Sequence, residues 1–231
     1  MYSRAARARG AGAPEGDEKP ANVLRFLFFL LVVRPAILLL LGLNLRHRER
    51  LPEAGPAIIV ANHNSHLDAL VLMSLFPMRM LPRLRPVAAV DYFLRSGFLA
   101  WFARRIVGIV PIDRQLSAGG DPLAPLERAL ERGDILILFP EGTRGTPERL
   151  SALKARVAHL ARRRPSVPVV PVFIYGLGKA LPKGEALLVP FFVDLFAGEA
   201  VEWHGSRETF MRDLASRFET LLAEARPPEW R

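Results

Sequence analysis

The segment Asn62-His63-Asn64-Ser65-His66-Leu67-Asp68 holds a histidine and a carboxylate five positions apart. On one continuous helix that spacing would set them about 140° apart, facing different directions. Just upstream stands Ala57-Ile58-Ile59-Val60-Ala61, an unbroken apolar run bounded by Gly55-Pro56, which reads as a buried strand. Leu67 to Phe76 reads as a helix ended by Pro77. Across a strand-to-helix turn His63 and Asp68 can meet. A carboxylate that accepts a bond from one imidazole nitrogen fixes the tautomer and leaves the other nitrogen as a general base. The same two residues also fit a cap or a solvated pair. His66 is only two positions from Asp68, and spacing gives Ser65 no activating partner.

Three more segments could carry chemistry. Phe139-Pro140-Glu141-Gly142-Thr143-Arg144-Gly145 begins at the end of Ile135-Leu136-Ile137-Leu138-Phe139, the clearest strand in the chain. A helix is expected from Thr146-Pro147, with Leu150, Leu153, Val157 and Leu160 on one face. Glycines there let backbone approach a ligand, the N–H groups favour an anion, and Arg144 supplies a fork for phosphate. Gly108-Ile109-Val110-Pro111-Ile112-Asp113-Arg114 ends another expected strand, Ile106 to Val110, in a charged pair. Val167-Pro168-Val169-Val170-Pro171-Val172 has two prolines in a strand-like run, which points to an edge or a bulge.

The elements that must position these residues alternate. Expected strands at Pro86–Val90, Val167–Tyr175 and Leu187–Phe196 are interleaved with helices at Tyr92–Phe102 and Pro125–Arg132. A last helix is capped by Ser206 and carries Phe210, Leu214, Phe218, Leu221 and Leu222 on one face. That order implies an α/β domain with a largely buried sheet. The 231 residues suit one such domain, over 51–231, with a short appendage.

Composition removes several chemistries. The chain has no cysteine, so disulfides, Cys-bound zinc, iron–sulfur clusters and a Cys nucleophile are excluded. It has no G-x-S-x-G or Walker A sequence, and Gly176-Leu177-Gly178 lacks the third glycine of a dinucleotide loop. The net charge is +9, and only Lys19, Lys154, Lys179 and Lys183 among the basic residues are not Arg. Such a balance fits nucleic acid, anionic lipid or an anionic substrate.

Residues 1–20 are Ala/Gly/Arg/Pro-rich and read as a disordered tail. Residues 21–50 contain a Leu/Phe-rich stretch, Val23 to Leu45, long enough to insert in a bilayer but interrupted by Arg34-Pro35 and flanked by basic residues on both sides. The interruption and the symmetric charge favour two short helices anchored in one membrane face over a single span.

Together, and in this order, the four segments resemble the glycerolipid acyltransferase family, centred on lysophosphatidate acyltransferases. The matching patterns are N-H-x-x-x-x-D at Asn62–Asp68, G-x-x-x-I-x-R at Gly108–Arg114, F-P-E-G-T-R at Phe139–Arg144 and V-P-x-V-P-V at Val167–Val172. The resemblance implies a single mixed-sheet domain flanked by helices, with a two-helix membrane anchor. It implies His63 as base, Asp68 as its orienting partner, and Arg114 and Arg144, with Glu141, Gly142, Thr143 and Lys154, around the acceptor. It implies acyl transfer from an acyl-CoA or acyl carrier protein thioester to a lysophospholipid at the cytoplasmic face of a membrane. No further cofactor, metal or nucleic acid partner is expected. Two other readings of the residues stay open: a metal-dependent phosphohydrolase using His63, Asp68 and Glu141, and a non-catalytic lipid-binding protein.

Overall fold

The computed structural model describes residues 18–65, 67–89, 97–112, 120–141, 153–180 and 191–225. Seven described strands form one mixed sheet: β1 (Leu41–Arg46), β2 (Ala57–Ala61), β3 (Leu84–Ala89), β4 (Val110–Ile112), β5 (Ile135–Leu138), β6 (Val169–Tyr175) and β7 (Phe191–Ala197). Their spatial order is β1-β7-β6-β2-β5-β3-β4. All neighbours run parallel except β6 and β7, so β1 and β7 oppose the other five. This is the flanked mixed sheet that the family resemblance implied, within the α/β class that the alternation of elements implied.

β2 lies at the centre, between β5 and β6. Its side chains alternate between two cores: Ala57, Ile59 and Ala61 join one, Ile58 and Val60 the other. A strand buried on both faces has no polar face, hence its continuous apolar run. The first core is covered by α3 (Asp68–Ser74) and an N-terminal helical segment. The second is covered by α5 (Ala124–Glu131), α6 (Arg156–Arg163) and α8 (Arg207–Ala225). On α8 the residues Phe210, Leu214, Phe218 and Leu221 are buried, and Ser206 Oγ caps the helix by accepting the Thr209 N–H at 3.1 Å.

The N-terminal segment departs from expectation. It is one continuous run, α1 (Glu18–Phe28), a π-helical turn (Phe29–Val33) and α2 (Arg34–Leu40), where two separate helices were expected. Pro35 lies inside that run, where it withholds one backbone N–H, and the π turn just before it takes up the misfit. Arg34 bonds to the Phe76 carbonyl at 2.7 Å. The stretch Leu41-Gly42-Leu43-Asn44-Leu45-Arg46, counted with the anchor in the expected 21–50 boundary, is instead the edge strand β1. Its period is two, with the leucines turned inward, and Asn44 Nδ2 donates to Asp194 Oδ1 on β7 at 2.8 Å.

Two other expectations fail for local reasons. Ile106-Val107 end a helical stretch, α4 (Gly97–Phe102) continued by a π turn (Ala103–Val107), and the strand β4 begins only at Val110. Gly108 adopts φ 76° and closes the helix, with the Gly108 and Ile109 N–H groups both on the Ala103 carbonyl. Nor is β6 an edge, despite Pro171. Its ladder with β7 begins one residue later, at Val172, while the Pro171 carbonyl accepts the Gly198 N–H at 2.8 Å.

Candidate active site

The site is built where β2 ends and α3 begins, at the carboxyl end of the central strand. The buried strand must leave the sheet at Ala61, and the next residues turn before Asp68 opens α3. That turn folds back on itself. Oδ2 of Asp68 accepts the N–H groups of Asn64 (2.6 Å) and Ser65 (2.9 Å) and lies 2.8 Å from His63 Nδ1. The two backbone groups can only donate, so Oδ2 is an acceptor and Nδ1–H donates to it. His63 Nε2 is left with its lone pair.

Asp68 is fully buried, whereas 22% of the His63 side chain is exposed. The dyad therefore has a closed end and an open end. Burial pushes the Asp68 carboxyl above its ordinary value, opposed by the bonds from His63 and from the Ser65 and Asn64 backbone. The imidazole also stacks on Phe139, with ring centroids 4.4 Å apart and planes inclined by 26°. Phe139 directly follows β5, the neighbour of β2, so the sheet itself sets this contact.

The F-P-E-G-T-R segment meets the histidine segment through Glu141. That residue is buried, and its Oε1 faces the His63 N–H at 3.4 Å. The structure thus gives Glu141 a place under the histidine backbone. Lys154 is exposed, and its N–H donates to the Pro140 carbonyl at 3.0 Å, which tethers it beside the Glu141 turn. It precedes α6; the helix that should have included Leu153 starts at Arg156. Arg114, Gly142, Thr143, Arg144 and His66 lie outside the described residues, as do the expected helix start at Thr146 and the first part of the Leu187–Phe196 strand. Among the described residues no group of three or more His, Asp or Glu side chains is placed to hold a metal ion.

Sequence reasoning gave no role to Asn62 and Asn64. Both are buried. Asn62 Oδ1 accepts the Ile174 N–H (2.7 Å), and Asn62 Nδ2 donates to the Ile174 carbonyl (2.9 Å), which also receives Asn64 Nδ2 (3.0 Å). The signal was an amide residue directly after an entirely apolar strand, a place where a buried polar group needs specific partners.

A mixed sheet flanked by helices thus carries a buried carboxylate bonded to a partly exposed imidazole at the end of its central strand. The family model described as Acyltransferase matches residues 42–175, more than half of the chain, and the chain belongs to that family. It is 30% identical over 150 residues to the chloroplastic 1-acyl-sn-glycerol-3-phosphate acyltransferase LPAT1 of Arabidopsis thaliana, covering 62% of this chain and 38% of that protein. It is 28% identical over 221 residues to a lyso-ornithine lipid O-acyltransferase of Rhizobium meliloti, covering 80% and 72%. The mouse 1-acyl-sn-glycerol-3-phosphate acyltransferase alpha is 29% identical over 147 residues, covering 62% and 48%. The fold matches the crystal structure of the acyltransferase PlsC from Thermotoga maritima with a TM-score of 0.70 at 22% identity, over 91% of this chain and 84% of that one. The chain thus spans well under half the length of the plant relative.

Proposed function

We propose that the protein transfers a fatty acyl group from a thioester to the free hydroxyl of a lysophospholipid, lysophosphatidic acid being the leading acceptor and phosphatidic acid the product. The observation that carries this reading is the Asp68–His63 pair, bonded through Nδ1 with the imidazole partly exposed, in a chain of the acyltransferase family. Nε2 takes the hydroxyl proton as the oxygen attacks the thioester carbonyl. Asp68 holds the imidazolium that forms. The tetrahedral intermediate expels the thiolate, a good leaving group because thiols have a pKa near ~8.5. His63 then returns its proton to that thiolate. One base suffices, without a covalent acyl-enzyme.

The donor is coenzyme A or acyl carrier protein, and Arg114 and Arg144 bind the acceptor phosphate, with Gly142, Thr143 and Lys154 beside them. The helix Asn22–Leu40, 19 residues long and by length and composition apolar enough to cross a membrane, supports a site at the lipid surface from which the acceptor comes. We assign that surface to the cytoplasmic side.

The test is to incubate the purified full chain with acyl-CoA or acyl carrier protein thioester and lysophospholipids of different headgroups, lyso-ornithine lipid included, and to identify products by mass spectrometry. Acylation of lysophosphatidic acid, reduced about ten- to a hundredfold in Arg114→Ala and Arg144→Ala, is the expected result. Equal losses on acceptors with and without phosphate would remove phosphate recognition from the two arginines. Phosphate release without acyl transfer would replace the reading with a phosphohydrolase.

A further inference from the structure

The N-terminal helical segment is fastened to the domain at two points. Arg25 donates to the Leu84 carbonyl and Arg34 to the Phe76 carbonyl, each at 2.7 Å. Arg25, Phe29 and Val33 are buried, while Leu24, Leu27, Leu31, Leu38 and Leu39 face outward. A helix held along its length against a sheet domain cannot cross a bilayer and leave that domain in water. Its outer face can only enter a leaflet sideways.

That face does not end with the helix. Phe28 meets Phe102 of α4 edge-on, with centroids 5.3 Å apart. Phe102 meets Phe98 at 6.4 Å, and Phe98 stacks on Trp101 at 5.9 Å. Phe98 is nonetheless 73% exposed and Trp101 46%, with Leu99 also open. Rings joined to the core on one side and bare on the other make one apolar surface from α1 to the outer side of α4. Arg104, exposed one turn after Trp101, adds a cation where lipid phosphates would lie. Tryptophan itself favours the membrane–water boundary.

We propose that α4 is a second membrane-inserting element, with Phe98, Leu99 and Trp101 entering the same leaflet as the outer face of the N-terminal helix. The inference rests on reading that helix as lying on lipid. The occupant is a lipid surface because α4 continues a face of membrane composition and ends in a cation. α4 leads through Gly108 directly into β4, so its depth sets the height of that strand above the lipid.

The chain's lack of cysteine allows single nitroxide labels at Phe98→Cys, Leu31→Cys and, on α8, Arg212→Cys. In vesicles of phosphatidylcholine and phosphatidylglycerol the Phe98 and Leu31 labels should become accessible to oxygen and protected from an aqueous nickel chelate, while the Arg212 label stays in water. The double variant Phe98→Ser, Trp101→Ser should keep the native thermal transition and bind such vesicles at least about tenfold more weakly. A Phe98 label left in water beside a buried Leu31 label overturns the proposal and leaves the helix reading standing. Both labels in water overturn both. Spin–spin broadening between Phe98 labels without lipid would assign α4 to a second copy of the chain and also overturn the proposal.

Discussion

Asn62 and Ile174 exchange two hydrogen bonds, side chain to backbone, as if Asn62 were one more rung of the β2–β6 ladder. The ladder proper ends at Ala61↔Val172. One residue further the β2 backbone must turn away so that His63 can reach Asp68. The Asn62 amide continues the pairing after the backbone has left it. It therefore holds the His63 turn in place from behind.

Asn62→Ala should leave the buried Ile174 N–H without its acceptor, while Asn64 still serves the Ile174 carbonyl. An orphaned buried group costs about 1–3 kcal/mol, so the midpoint of thermal unfolding should fall by roughly 3–10 °C. Turnover at a temperature where the variant is fully folded should also fall, because the His63 turn is released. Asn64→Ala should be milder on both counts. Unfolding scans and initial rates on the two variants check this; equal effects would contradict the assigned order.

His63→Ala should cut transfer about 10²–10⁴-fold while leaving the fold intact, the range that general-base catalysis supplies. Asp68→Asn should lose most activity by favouring the wrong tautomer. The same variant carries a pH signature. Burial raises the Asp68 carboxyl from its ordinary value of 3.8, so the folded state binds more protons than the unfolded one just above that value. Stability of the native chain from this group thus falls as pH rises through that window. Asp68→Asn has no charge to bury, so its unfolding midpoint should gain on the native one as pH rises above the ordinary carboxylate value of 3.8. Parallel thermal scans across that range test the sign; a gap widening toward acid would reverse it.

The meeting of His63 and Asp68 was legible because it is local in sequence. A base and carboxylate five residues apart, after an all-apolar strand, leave few geometries, and the structure adopts the strand-to-helix turn. Buried runs such as Ile135–Leu138 declared themselves in the same way. What escaped depended on partners distant in the chain. Leu41–Arg46 follows an apolar helix without a break, and only pairing with β7 makes its alternation decisive. Pro171 looked like an edge because the offset that frees it from the β7 ladder is set by β7. The roles of Asn62 and Phe139 likewise require β6 and β5 to lie on either side of β2.

Gly108 and Arg25 provide the last prediction. Gly108 has φ 76°, and a Cβ added there would lie 2.6 Å from Arg25 Nη1 and 2.7 Å from Cζ. The guanidinium of the N-terminal helix thus rests on the glycine that closes the α4 stretch. Gly108→Ala imposes left-handed strain, on the order of 1–2 kcal/mol, and also pushes Arg25 off its seat and away from the Leu84 carbonyl. The N-terminal helix should loosen at that end, with faster amide exchange across residues 22–33 and earlier proteolytic cutting there, while α8 amides stay protected. Arg25→Ala alone also frees the helix by removing its bond to Leu84. In the Gly108→Ala background it should cost less, because the new methyl has already displaced the guanidinium. A double-mutant cycle on the exchange rates should return a coupling of about 0.5 kcal/mol or more. Strict additivity would mean that the strain at Gly108 acts alone and that the seat of Arg25 on it contributes nothing to holding the helix.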